Sequence, residues 1–330
     1  MLKIFQRNMA LQMVLTIAVL LLLWLRPLLS PPAITAGDHP ALLYSLLSSW
    51  LAPTPRLAVV IAMLLTLAEG MMLNMLLSSI GLVSQNSLLP TLLFIVAAGA
   101  GATTLTPMVI VWAALIGCLN QLMLRSTLLT IPSSKICGAT ALIGIASMFY
   151  LPAAVMMLSY LLVAVNYRLY NWKDWAVMLL GFIAPYLTLA AVLFITGDLA
   201  QWWDSITDGL GDISVTLGSF TLPQALGAAM LLFIMLWGLL NVMLHLGEHP
   251  VVWQKNASTV MLFFVGALCI LLYAPVQSAS MQLIAVPFAF CTTLLLLGST
   301  PSTTSLRNRK RRLWIYDTLL ILIIIAAIAC

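Results

Sequence analysis

The stretch YRLYNWKDWAVMLLGFIAPY, residues 167–186, packs four aromatic residues, two cations and a carboxylate into its first nine positions, in a chain that is only 7% charged. From Ala176 the charges stop and an apolar run begins. A charged cluster feeding such a run marks a helix that enters a membrane from its surface, because about 20 apolar residues cover the roughly 30 Å of hydrocarbon. Tyr167, Tyr170, Trp172 and Trp175 suit the headgroup belt, and Arg168 and Lys173 have stems long enough to snorkel towards phosphates. Asn171 is a good helix N-cap, with Asp174 at the third helical position favoured by the positive end of the dipole. The stretch is predicted to be an interfacial elbow between two membrane spans.

Outward from the elbow, the pattern repeats. The 330 residues are 63% hydrophobic, and the mean hydropathy is +1.11. No soluble domain fits between the apolar runs. The runs are rich in Leu, Ala and Met and do not alternate in ten-residue segments, so helices are expected and a barrel is not. The predicted fold is all-α: a single polytopic bundle over 1–330 with eleven candidate helices, at 9–29, 57–80, 88–105, 107–124, 137–150, 152–167, 174–196, 224–245, 257–274, 279–298 and 314–330. The fifth and sixth meet at Pro152, which leaves two spans or a re-entrant hairpin open for 137–167. The apolar run after MLKIFQRN extends from Met9 to Leu29, too long for a signal-peptide core, so an uncleaved first span is expected.

Cytoplasmic loops carry an excess of Lys and Arg. With the N-terminus inside, twelve of the fourteen cations face the cytoplasm and only Arg26 and Arg56 face outward, while Asp38, Asp198, Asp204, Asp208 and Asp212 also fall outside. The expected protein is therefore a multi-pass protein of a bacterial inner membrane, with the C-terminus at Cys330 in the periplasm. RNRKRR, residues 307–312, follows a Ser/Thr-rich linker and serves as a topology anchor on anionic lipid, so the basic pI near 9.1 implies membrane lipids as partners and no nucleic acid. All five cysteines sit in or at the ends of apolar runs without CxxC spacing, as small core residues do.

Three places have residues suited to chemistry. Glu69, in LTLAEGMMLNMLLSS, falls near the middle of the second span, where an ionised side chain costs at least ~2.5 kcal/mol. Asn74 follows on the same helix, and Asn120, Gln121, Asn166 and Asn241 share its side of the membrane, so an inward-facing polar cavity and simple interhelical glue are both open. Asp38 and His39 stand in the first outer loop, a carboxylate placed to act as a general base with an imidazole beside it, or a loop cap. They precede a segment in which Leu43, Leu46, Leu47, Trp50 and Leu51 suit a helix lying on the membrane surface. In DLAQWWDSITDGLGDIS, residues 198–214, Asp204, Asp208 and Asp212 recur every four residues beside an apolar stripe, an acidic rim that offers weak candidates for a cation. No phosphate-binding loop, nucleotide fingerprint or nucleophile elbow occurs, and no cofactor is expected.

ASMFYLPAAVMMLSYLLVAVNYRLYNWKDWAVMLLGFIAPY (146–186), preceded by NSLLPTLLFIV (86–96), resembles a family of Bacteroidota inner-membrane proteins that share an FY.P turn, an R..NW.eW elbow and a G...PY span. The matching positions are Phe149, Tyr150, Pro152, Arg168, Asn171, Trp172, Trp175, Gly181, Pro185 and Tyr186, with Asp174 where an acidic residue is usual. The resemblance covers about 70–195 and implies a cell-envelope membrane protein, with no catalytic residue carried over. In architecture the chain is also similar to the GT-C glycosyltransferases that use polyprenyl-phosphate sugars, which implies chemistry at the periplasmic face near Asp38 and His39. Three functions follow as expectations: a GT-C-like enzyme acting on a lipid-linked sugar, a non-catalytic subunit or assembly factor bound to other envelope membrane proteins, and a small-molecule transporter.

Overall fold

The computed structural model describes residues 9–32, 34, 41–83, 87–99, 105–123, 131–169, 171–197, 202–203, 222–273, 282, 284–298, 318 and 320–324. Among them the secondary structure is helical, with no strand. In chain order the helices are α1 (Met9–Leu29), α2 (Leu42–Leu51), α3 (Pro55–Ser79), α4 (Leu89–Gly99), α5 (Pro107–Leu122), α6 (Ser133–Phe149), α7 (Met156–Asn166), α8 (Trp172–Thr196), α9 (Leu222–His245), α10 (Val251–Tyr273) and α11 (Ala285–Gly298). A 3-10 turn, Leu151–Val155, joins α6 to α7 at Pro152. Five helices are long and apolar enough to cross a membrane: α1, α3, α8, the stretch Ala229–Glu248 and Val251–Ile270 within α10. The protein is a membrane-embedded helical bundle, in which several shorter apolar helices pack among these five.

Burial sorts the helices. Every residue of α4 from Leu89 to Ala98 is buried, as expected of a helix that is apolar on all sides and therefore has no face for water. α1 buries one stripe, Gln12, Thr16, Leu20, Trp24 and Pro27, and exposes Val14, Leu21, Leu22 and Leu25. α8 is the opposite of α4: among its 25 residues only Met178, Gly181 and Leu193 are buried, and Leu179, Leu180, Ile183, Leu187 and Phe194 face outward. Such a face is stable against acyl chains and costly against water.

Lipid tails are as apolar as leucine, so helices in a membrane associate through close packing at small residues and through hydrogen bonds. The contacts give both the seams and their directions. Leu88 N–H donates to Gln12 Oε1 at 2.8 Å, and Leu23 covers Gly99, so α1 and α4 run parallel. Gly117 faces Leu142 and Gly138 faces Gln121, so α5 and α6 run antiparallel. Gly266 takes Ser159 and Met156 against its bare Cα while Tyr167 meets Asn256, so α7 and α10 run antiparallel.

The seam between α6 and α8 is the most extensive. Ser133 donates to Asp174 Oδ1 at 3.3 Å, Gly181 sits against Thr140 and Cys137, Gly144 against Phe182 and Pro185, and Ser147 Oγ lies 2.6 Å from Tyr186 Oη. Residue numbers rise together along both helices, so these two run parallel and in register. The chain must then double back between them. α6 covers roughly 26 Å by its seventeen residues. The return leg covers about the same, with five residues of 3-10 turn and eleven of α7. The segment forms two legs of about equal length that break at Pro152, with α7 packed on α10 instead of back along α6. The G...PY spacing acquires a physical meaning here: Gly181, Pro185 and Tyr186 form the α8 side of one seam.

A Cβ at position 181 would stand 2.7 Å from the Cys137 carbonyl oxygen and closer still to Thr140 Oγ1, so backbone has to move. A Cβ at position 117 meets only the flexible end of Leu142 at 3.1 Å. Gly181→Ala is expected to destabilise the protein by about 1–3 kcal/mol and Gly117→Ala by much less, measured by thermal unfolding in detergent.

Candidate functional site

The hydrogen bonds between helices sort the helix ends into two sets. One set holds the elbow, with Gln12 and Leu88, Ser133 and Asp174, and Tyr167 and Asn256. The other holds α2, with Tyr44 and Leu105, and Thr106 and Gln282.

At the elbow the helix α7 ends in a Schellman motif: Leu169 N–H donates to Ala164 O and Arg168 N–H to Val165 O, each at 3.0 Å. The residue that turns the chain is Arg168, at φ +57°, the only non-glycine with positive φ among the described residues. Glycine is usual there because a side chain in the left-handed region costs roughly 1–2 kcal/mol. The turn is braced by Trp175, whose Nε1–H donates to Leu169 O at 2.9 Å. Asn171 caps α8, its Oδ1 accepting from Lys173 N–H at 3.4 Å, with Asp174 in the first turn. Trp172 is 73% exposed and Trp175 39%, as belt residues are. Tyr167 departs from that expectation. It is 8% exposed and turned inward, donating to Asn256 Oδ1 at 3.2 Å with its oxygen 2.9 Å from Thr259 Oγ1. Its partners lie about ninety positions along the chain, beyond what local pattern can reveal.

Mid-bundle, Glu69 is 1% exposed and its Oε1 has no hydrogen-bond partner. Asn74, 7% exposed, likewise leaves Oδ1 unpartnered. Both project from α3, where Gly70 lets Thr91 of α4 approach and donate to the Gly70 carbonyl at 3.1 Å. Buried polar atoms without partners are rare because each costs about 1–3 kcal/mol, and α7 carries two more, Tyr160 Oη and Asn166 Nδ2. Of the other amides, Asn166 on α7 also leaves a buried Nδ2 unpartnered, whereas Asn120 is exposed, Gln121 lies beside Gly138, and the backbone carbonyl of Asn241 is 2.9 Å from His245 Nδ1.

At the opposite end, α2 docks on the bundle. Tyr44 is buried and donates from its hydroxyl to Leu105 O at 2.8 Å; burial pushes this phenol up to about 12, so it remains a donor at neutral pH. Leu46 and Trp50 face outward while Leu51, expected on the surface, joins a small core with Trp24, Ala58, Val59, Ala62 and Leu105. Next to Leu105, Thr106 donates to Gln282 Oε1 at 2.7 Å and Trp112 Nε1–H donates to Gln282 O at 2.5 Å. Gln282 Nε2 and Trp24 Nε1 are buried there without partners. Gln282 and Trp112 escape a sequence reading, since neither is charged or part of a motif. Asp38, His39, Asp204, Asp208 and Asp212 lie outside the described residues.

One further spacing is His245-Leu-Gly-Glu248-His249, an HxxEH pattern that in a helix holds zinc. Here the helix gives way to a 3-10 turn at Leu246–Glu248, His245 Nδ1 is 2.9 Å from Asn241 O, and His249 stacks on Trp253 with centroids 3.9 Å apart. No group of three ligands forms among the described residues.

No family model matches the chain, and neither a curated protein nor a solved structure matches it. The fold and its two ends define the class, a membrane-embedded helical protein.

The Schellman turn makes a prediction. Arg168→Gly is expected to leave stability unchanged or raise it by up to about 1 kcal/mol, because glycine removes the left-handed cost, and Arg168→Val to lower it. Asn171→Ala is expected to cost about 1 kcal/mol through loss of the cap. Unfolding midpoints of the three variants in detergent check this.

Proposed function

We propose that the chain is an eleven-span protein of a bacterial inner membrane that handles a polyprenyl-phosphate-linked sugar at its α2 end. In this reading the N-terminus and the elbow are cytoplasmic, the α2 end and the C-terminus are periplasmic, and the likeness to Bacteroidota envelope proteins and to GT-C enzymes reflects shared architecture. The observation that supports it best is the docked α2: directly after the Asp38–His39 segment, a short helix is pinned by Tyr44 and Leu51 while Leu46 and Trp50 face outward. A polyprenyl phosphate keeps its tail in lipid and its charged head at the surface, so a reacting carboxylate has to meet it at such an interface. Asp38 takes the proton from the acceptor hydroxyl as the hydroxyl oxygen bonds to the anomeric carbon of the sugar, the bond from that carbon to the phosphate oxygen breaks, and polyprenyl phosphate leaves, with His39 assisting or holding the phosphate. Buried donors at this end, Gln282 Nε2 and Trp24 Nε1, suit an oxygen-rich ligand.

A second reading, transport of a small molecule, is favoured by Glu69, whose unpartnered oxygen in mid-span is the usual mark of an ion or substrate path.

Asp38→Asn keeps the shape and removes the base, so it is expected to abolish sugar transfer at normal protein abundance, with Glu69→Gln retaining transfer. Complementation of a deletion strain, with abundance measured by blot, checks both. Full activity in Asp38→Asn removes the enzyme reading, and loss confined to Glu69→Gln selects the transporter.

A further inference from the structure

The elbow end gathers cations from three separate segments. α6 begins at Ser133, whose hydroxyl donates to Asp174, and bears Lys135 two residues on. The turn between α7 and α8 contributes Arg168 and Lys173, both exposed. From the start of α10, Lys255 places its ammonium 6.0 Å from the centroid of the Tyr167 ring, the ring whose hydroxyl ties α7 to α10. None of these four cations makes an ion pair among the described residues. The carboxylates described at this end are two, Asp174, which accepts from Ser133, and the exposed Glu248. Positive charge therefore exceeds negative at a place where the backbone carries the cost of a left-handed arginine.

What lies beside the cations indicates the partner. Directly along α8 from Lys173, an exposed apolar strip runs through Trp172, Trp175, Leu179, Leu180 and Ile183. A soluble anion uses only the cations. A ligand with an anionic head and an acyl tail uses both, and the tail covers a face that is otherwise open to the hydrocarbon. We infer that this end of the bundle is a binding site for the phosphodiester headgroup of an anionic phospholipid, held by Arg168, Lys173 and Lys255 with Lys135 in support, its acyl chains lying along α8. The inference requires only that the bundle is embedded in a membrane, and stands apart from the chemistry proposed at α2.

Near a membrane surface each Lys or Arg contributes about fivefold in affinity for anionic lipid. The test uses the full chain reconstituted with phosphatidylglycerol or phosphatidylcholine and examined by native mass spectrometry after detergent exchange. The wild type is expected to retain phosphatidylglycerol over phosphatidylcholine. Arg168→Gly and Lys255→Gln are each expected to weaken that retention about fivefold, while Arg56→Gln, at the opposite end, leaves it unchanged. Because Arg168→Gly relieves the turn, its loss of lipid cannot be put down to misfolding, and Lys173→Gln serves as an independent surface variant. Equal retention of the two lipids overturns the inference. So does an equal effect of Arg56→Gln, the absence of any effect at positions 168, 173 and 255, or displacement of the lipid by inorganic phosphate.

Discussion

Helices surrounded by lipid gain little from hiding leucine in one another, so how closely their backbones approach decides which of them associate. In this chain glycine sets that approach: Gly70 under Thr91, Gly144 and Gly181 across α6 and α8, Gly238 against the Cys291 carbonyl between α9 and α11, and Gly266 under Ser159. Four seams of one physical kind join α3 to α4, α6 to α8, α9 to α11 and α7 to α10. The wholly buried α4 and the lipid-facing α8 are consequences of where a helix stands relative to those seams.

Polar ties then fix the ends. Away from the middle of the bundle, hydrogen bonds between helices no longer compete with an apolar solvent alone, and the structure uses a few with partners far apart in sequence: Gln12 to Leu88, Tyr167 to Asn256, Tyr44 to Leu105, Thr106 to Gln282. Each joins elements that lie far apart in the sequence. The elbow combines three such devices, a Schellman turn through Arg168, an Asn171 cap and the Trp175 brace, within a few residues. Glu69 and Asn74 differ in that each keeps one buried oxygen without a partner, although Glu69 also takes a hydrogen bond from the Ala113 backbone of α5.

Much of this was legible in order along the chain. Hydropathy identified the apolar helices, Pro152 marked the break after α6, and Asn171 followed by Asp174 marked the start of α8 because capping is local chemistry. What sequence could not reveal depended on distance. Tyr167 read as a belt residue because its neighbours are aromatic and basic, yet its hydroxyl has partners on α10. Leu51 read as a surface residue on an amphipathic segment, yet the first core beside α1 and α3 takes it in. Gln282 carries no signal at all until Thr106 and Trp112 are brought to it. Glycine in an apolar run announces a close contact without naming the helix that makes it.

The in-register parallel pairing of α6 and α8 is the claim on which the elbow, the return leg and the two-ended arrangement all depend. In a protein freed of native cysteines, paired cysteines replacing Ser133 and Asp174, or Ser147 and Tyr186, test it by oxidative cross-linking in the membrane. A cross-link is expected within each of those pairs and none for the crossed pairs, position 133 with 186 and position 147 with 174. Efficient cross-linking of the crossed pairs, with none in the direct ones, would mean that the two helices run antiparallel and would contradict it.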